Sequence, residues 1–381
     1  MNCPYRFVIE VRPPGGAAPH QETIEPDWEP AIEAARFAGL RSPGVWSQPG
    51  GAEPRLEPRW LEAAGPPRVR SLRVHIAHDG HGWFTDLPAV RYFHERARAV
   101  VAAQVADGRI EAGQRVTYAV AAYATNDARA SRAPLTFDTV DQPQPCPVRD
   151  RPFGELVARS IACGESDPSD IDVVLPEPML DEICGLTLDA GESETGGILL
   201  GHLCRDGVGG DLGLEMTAQV PARHTEANTA KVTFTADTWT DVRAAVTLRK
   251  AGELLVGYWH SHPAHGWCKH CPIERQSVCH LSAGFLSADD KALHRAMFPA
   301  AYTQALVITR SVRGLDAKLF GWRHGVLEPR GFRLMPADVT RPRAREAVRL
   351  ESTAMAAAYP DGGEPARPTG EGVPLPSLIS S

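Results

Sequence analysis

Leu255-Val256-Gly257-Tyr258-Trp259-His260-Ser261-His262-Pro263 is an apolar run that ends on two histidines and a proline. Its β-branched and aromatic content predicts a strand over 254–260, with Pro263 ending the run. At a strand end, residues i and i+2 point to the same side. His260 and His262 can therefore present two imidazoles to one ion. Taken alone, the same pattern also describes two surface histidines.

Working outward from that strand, the pattern predicts a helix over 177–188, strands over 195–204, 212–220 and 231–235, and a helix over 236–251. Beyond it come an irregular insertion, a helix over 287–297, and strands over 301–309, 317–323 and 326–333. Helices alternating with antiparallel-compatible strands make an α+β sandwich of about 170–336. Two further segments carry chemistry. In Phe285-Leu286-Ser287-Ala288-Asp289-Asp290, Ser287 suits a helix N-cap and Asp290 falls in the first turn. Ser-x-x-Asp is a local capping device, but the same Asp290 is placed to be a third metal ligand, with the Ser287 hydroxyl free to reach an oxyanion. In Glu194-Thr195-Gly196-Gly197-Ile198-Leu199-Leu200-Gly201, a glutamate opens a strand whose glycines allow close approach of neighbouring backbone. Glu194 is either an exposed strand-edge residue or a general base beside a metal-activated water.

Together these segments, Glu-Thr-x-Gly-x-Leu-x-Gly (194–201), Trp-His-Ser-His-Pro (259–263) and Phe-Leu-Ser-x-x-Asp (285–290), resemble the JAMM/MPN metalloproteases. The resemblance covers roughly 170–335. It implies a cytidine-deaminase-like α+β fold, a mixed sheet flanked by helices. It also implies one catalytic zinc held by His260, His262 and Asp290, with Glu194 as base and Ser287 at the oxyanion. The implied reaction is hydrolysis after the C-terminal tail of a ubiquitin-like protein. That protein and its conjugates would be the substrates, and E1- and E2-like enzymes of a bacterial conjugation or defence system would be further partners. The segment His224-Thr225-Glu226-Ala227-Asn228 is similar to one that borders the substrate groove in that family.

One departure stands out. Between His262 and Ser287 lie 24 residues, far more than the family's usual spacing. This insertion (264–284) carries Cys268-x-x-Cys271, then Cys279-His280, with His265 and His270 nearby. Two cysteines at x2 spacing, a third cysteine and an adjacent histidine suit a tetrahedral structural zinc site, with His280 as the first choice for fourth ligand and His265 or His270 after it. Reduced surface thiols are the plainer alternative.

The 381 residues exceed what one modest domain needs, so a separate N-terminal α+β domain is expected over 1–140, its role unassigned, followed by a proline-rich linker over 141–169. In the N-terminal unit the pattern predicts strands over 5–11, 72–77 and 116–124 and helices over 30–38 and 90–106. Beyond 336, a short helix and then a disordered tail over 337–381 are expected. Forty basic against forty-seven acidic residues give a formal net charge of -7, without the basic excess a nucleic-acid binder needs. No apolar run approaches the roughly 20 residues that span a bilayer. The start, Met1-Asn2-Cys3-Pro4-Tyr5-Arg6, has no charged segment leading into an apolar one, so a soluble cytoplasmic protein is expected. Eight cysteines are too dilute for a disulfide scaffold. Two other readings compete with the protease: a non-catalytic MPN scaffold with structural zinc, and a thiol hydrolase using Cys184 or Cys204, which would need a histidine partner.

Overall fold

From Val256 to His262 every residue of the quoted strand is buried, so it is covered on both faces and belongs to the middle of a sheet. The computed structural model describes residues 5–15, 18–46, 53–62, 65–78, 81–124, 135–136, 146–222, 234–269, 271–276, 279–337 and 378–380. The groove segment 224–228, most of the strand expected over 231–235, and the tail beyond 337 other than 378–380 lie outside these residues.

The N-terminal region is built from β1 (Tyr5–Arg12), β2 (His20–Ile24), α1 (Glu29–Leu40), β3 (Glu53–Trp60), β4 (Val69–His78) and β5 (His81–Pro88). It continues through α2 (Ala89–Tyr92), α3 (His94–Ala106), β6 (Val116–Ala124) and β7 (Leu135–Thr136). β6, β1 and β2 form one sheet, on whose edge Leu378–Ser380 pairs in parallel with β6; β5, β4, β3 and β7 form a second. Alternate residues of β1 (Phe7, Ile9, Val11) point into a core shared with Trp28, Leu72 and Phe93, as period-two patterning requires.

The larger sheet comprises β8 (Val148–Asp150), β9 (Ile161–Cys163), β10 (Val173–Pro176), β11 (Gly196–Arg205), β12 (Leu212–Pro221), β13 (Leu254–His262), β14 (Gln304–Ser311), β15 (Gly314–Arg323), β16 (Val326–Arg330) and β17 (Phe332–Met335). Its order is β16-β15-β14-β13-β11-β12-β10-β17-β9, with β8 also pairing β11. β13 runs parallel to β14 and antiparallel to β11, so the sheet is mixed. Its helices are α4 (Phe153–Arg159), α5 (Glu177–Asp189), α6 (Ala236–Arg249), α7 (Ala264–Trp267), α8 (Ile273–Gln276) and α9 (Ala288–Met297). Along β11, Leu199 and Leu203 pack with Ile183 of α5 and with Trp259, while Ile198 and Leu200 pack with Val242 of α6 and with Tyr258. Apolar layers thus lie on both faces of the sheet.

Three expectations change. The stretch expected as a linker over 141–169 carries β8, α4 and β9, all built into this sheet or against it. Pro147 stands before β8 and Pro152 at the N-cap of α4, where a missing N–H costs little. The strand expected over 326–333 is broken at Gly331 into β16, which pairs β15, and β17, which pairs β10 and β9. The sheet therefore rolls until its edge strand continues into β17. The N-terminal unit is also less separate than expected. Leu40 is buried in the core of the larger sheet, with Phe37, Val45 and Trp46 against it.

Arg205 fastens this junction. The residue is 0% exposed and donates to the carbonyls of Leu40 at 2.5 Å, Ser42 at 3.0 Å and Val45 at 2.9 Å. Truncation would remove the donor to the buried Leu40 carbonyl and to the part-buried carbonyls of Ser42 and Val45, of which Ser42 keeps a bond from the Val45 N–H. Arg205→Ala is expected to lower unfolding free energy by about 3 kcal/mol, measured as a shift in urea midpoint. A midpoint unchanged from wild type would show that the junction does not depend on this side chain.

Candidate metal centre

Two glycines shape the end of β13. Gly197 on β11 must be glycine, because a Cβ there would stand 2.5 Å from Trp259 Nε1 and 2.6 Å from the Val220 carbonyl. Gly257 has φ +142, and a Cβ there would lie 1.8 Å from the Gln304 carbonyl. These glycines let β11, β13 and β14 close tightly around the strand that ends in His260 and His262. Tyr258, His260 and His262 share the face toward α9, with Tyr258 stacked on His260 at 5.6 Å, while Trp259 faces the opposite core and donates to Gln219 Oε1 at 3.1 Å.

The two imidazoles are 1% and 2% exposed. Their Nε2 atoms face one another at 3.0 Å. Asp290 on α9 brings Oδ1 to 3.5 Å from His260 Nε2 and Oδ2 to 3.9 Å from His262 Nε2. All three ligand atoms lie within 4.8 Å of one another. Two ring nitrogens aimed at each other with a carboxylate alongside suit a shared cation, and this triad can hold a metal. Asp290 keeps 18% side-chain exposure, leaving the site open on one side, as catalytic metal sites are.

The two readings of Asp290 coexist. Ser287 caps α9: its Oγ accepts from the Asp290 N–H at 3.1 Å, and its own N–H donates to Asp290 Oδ2 at 2.7 Å. The capping box aims the carboxylate at the histidines, and Tyr258 adds a bond from its hydroxyl to the Asp290 carbonyl at 3.2 Å. The Ser287 hydroxyl proton is left to donate elsewhere. Burial opposes ionisation of Asp290, but the hydrogen bond and charge of His260 and the two bonds from Ser287 outweigh it. The carboxyl is held well below the usual carboxylate range. Burial, reinforced by His260, pushes His262 down to about 3, with Asp290 opposing. Its imidazole is therefore neutral near pH 7, the form that binds metals.

The register of β11 leads back toward Glu194. Gly196 pairs with His260. Beyond it Ser261 N–H donates to the Thr195 carbonyl at 2.8 Å, and Thr195 N–H donates to Ser261 Oγ at 3.0 Å. Glu194, one residue earlier, precedes the paired residues of β11. The residue is 6% exposed, which removes the exposed strand-edge alternative.

Two aromatic neighbours went unremarked in the sequence. Trp267, at the end of α7, and Phe285 lie 5.1 Å and 4.7 Å from the His262 ring. Lys269 reaches Glu192 at 3.7 Å, so the insertion borders both halves of the site. Within it, burial, with Cys279 and Cys271 adding to it, pushes the Cys268 thiol up to about 11. His270 and the His280 side chain lie outside the described residues. Burial likewise pushes Cys184 and Cys204 up to about 12, with a neighbouring acid adding to the shift in each. That disfavours either as a nucleophile.

One turn beyond Asp290, His294 is 0% exposed and packs against Tyr258, Phe298 and Trp322. Burial, with Arg295 adding to it, lowers it to about 3. The unfolded imidazole takes a proton below about pH 6.5, the folded one only near 3, so the unfolded state binds more protons as pH falls. This contribution is present above pH 6.5 and is lost on acidification, by about 3 kcal/mol at pH 4.5. Urea midpoints at pH 7 and 4.5 should differ less in His294→Phe than in wild type. Equal differences would show that His294 does not couple to acid unfolding.

Residues 176–267 match the family of prokaryotic homologs of the JAB domain. The matched stretch contains Glu194, His260 and His262, and it supports a JAB/MPN relationship. JAB-related domains include metalloproteases and non-catalytic members. The solution structure of protein DSY2949 from Desulfitobacterium hafniense is similar at 19% sequence identity with a TM-score of 0.29, over 44% of this chain and 93% of that one. No curated protein matches the chain. Among the described residues, no helix is long and apolar enough to cross a membrane.

Proposed function

We propose that the chain is a zinc-dependent isopeptidase or peptidase that processes or removes a ubiquitin-like protein, by hydrolysis after its C-terminal tail, in a bacterial conjugation or defence system. It would act in the cytoplasm, where E1- and E2-like enzymes would supply its conjugates. One observation carries this reading. Two buried imidazoles and a carboxylate converge within 4.8 Å of one another, and the buried Glu194 lies just ahead of β11, the strand paired with β13. A scaffold has no use for a base at that position.

When bound, zinc supplies a Lewis acid for the scissile carbonyl and lowers the pKa of a coordinated water. His260 and His262 offer their Nε2 atoms, and the Ser287 backbone N–H orients the Asp290 carboxylate. Glu194 takes the proton of the attacking water and passes it to the leaving amine. The Ser287 hydroxyl donates to the oxyanion that develops on the carbonyl. The substrate tail lies extended along a strand edge, held by main-chain hydrogen bonds.

The test is incubation of the zinc-loaded full chain with a ubiquitin-like protein carrying a C-terminal extension, the products being weighed by intact mass spectrometry. Cleavage after the tail is expected, lost with a chelator and restored by zinc. Binding of the tail without cleavage would favour the scaffold.

A further inference from the structure

Gln276 donates to the Cys271 carbonyl at 2.7 Å and the Ser282 hydroxyl to the Gln276 carbonyl at 3.0 Å, both within the insertion 264–284. Its helices α7 and α8 have four residues each, far below the length at which a helix sustains itself. Yet Cys268 within it is 1% exposed. The turn after α7 is closed by the Cys271 N–H on the Cys268 carbonyl at 2.8 Å, which swings the second cysteine of the pair back toward the first. Cys279 arrives from the other end of the insertion. The Cys268 thiol interacts electrostatically with both of the others. All three are free cysteines. Three residues before Cys268, His265 has a buried Nδ1 with no hydrogen-bond partner.

Three thiols drawn together from two ends of a loop make a ligand set for a thiophilic cation, and at x2 spacing zinc is the ordinary occupant. We propose that Cys268, Cys271 and Cys279 hold a second zinc ion, with a histidine of the same insertion as fourth ligand, and that this ion fixes Trp267 against His262. Each thiol gives up its proton to bind, and the free energy of binding becomes folding free energy for the insertion. Trp267 is the residue immediately before Cys268, and its ring lies 5.1 Å from the His262 ring and 6.4 Å from Phe285. The second ion would thereby set one wall of the first site. That consequence rests on the proposed function; the binding of the ion does not.

The experiment is elemental analysis of the full chain purified without chelator, in wild type, in Cys268→Ser/Cys271→Ser and in Asp290→Ala. About two zinc ions per chain are expected in wild type and about one in each variant. Zinc content unaffected by the cysteine substitutions overturns the proposal. Content unaffected by Asp290→Ala counts against the catalytic site instead. Should the cysteine variant fail to fold, cobalt replaces zinc in Asp290→Ala, whose cysteines are intact. Thiolate-to-cobalt charge transfer in the near ultraviolet is expected there, and bound cobalt without it overturns the proposal.

Discussion

Glu194→Gln is expected to lower kcat on a ubiquitin-like fusion by roughly 1,000-fold, within the range that general acid–base catalysis contributes. Metal content and unfolding midpoint should stay at their wild-type values. The substitution keeps the size and hydrogen-bonding shape of the side chain at a position 6% exposed, and it leaves the Thr195–Ser261 bonds that hold the strand end in place. What the amide cannot do is accept a proton from water and return it to the leaving nitrogen. A base used only in the chemical step should move kcat and leave KM near its original value. A variant that cleaves at the wild-type rate would remove Glu194 from the mechanism.

Asp290 tests the other half of the site, because it carries two jobs that can be separated. Asp290→Ala removes a metal ligand and the partner of the Ser287 N–H together. The expected results are loss of bound metal, loss of several kcal/mol of transition-state stabilisation, and about 1 kcal/mol off the unfolding free energy from the lost cap. Asp290→Asn retains an oxygen for the Ser287 N–H and withdraws the charge. It should therefore keep the stability and still lose the metal. Metal content measured beside urea midpoints distinguishes these. If Asn restores both properties, the carboxylate is a capping group and nothing more.

That ambiguity shows where the sequence stopped short. Ser287 and Asp290 are legible either as a cap or as an oxyanion donor and a metal ligand, since four residues in a row do not say what faces them. The answer lies in β13, which delivers His260 and His262 to the open end of the same helix. The elements around the site were readable because their periodicity is plain. The helix expected over 177–188 is α5 at Glu177–Asp189, and the strand expected over 195–204 is β11 at Gly196–Arg205. β3 was not readable: its prolines at 54 and 58 look like loop. Among the described residues β7 pairs only Arg55 and Leu56 of it, and proline is tolerated in a strand where no N–H is required of it. Trp267 was passed over because nothing in the insertion's sequence says that its ring returns to His262. The junction at Arg205 depends on carbonyls some 160 residues away in the chain, a contact that no local pattern carries. The clamp on α9 is of the same kind. Glu95 of α3 bonds both Lys291 and Arg295 at 2.5 Å, tying the Asp290 helix to the N-terminal region.

The most direct measurement is an anomalous difference map at the zinc edge from crystals of the full chain. A peak is expected about 2.0–2.2 Å from His260 Nε2, His262 Nε2 and an Asp290 carboxylate oxygen, with Glu194 beside the position left open. No peak among those three residues, in crystals where zinc is bound elsewhere on the chain, would contradict the catalytic metal site and the hydrolase built on it.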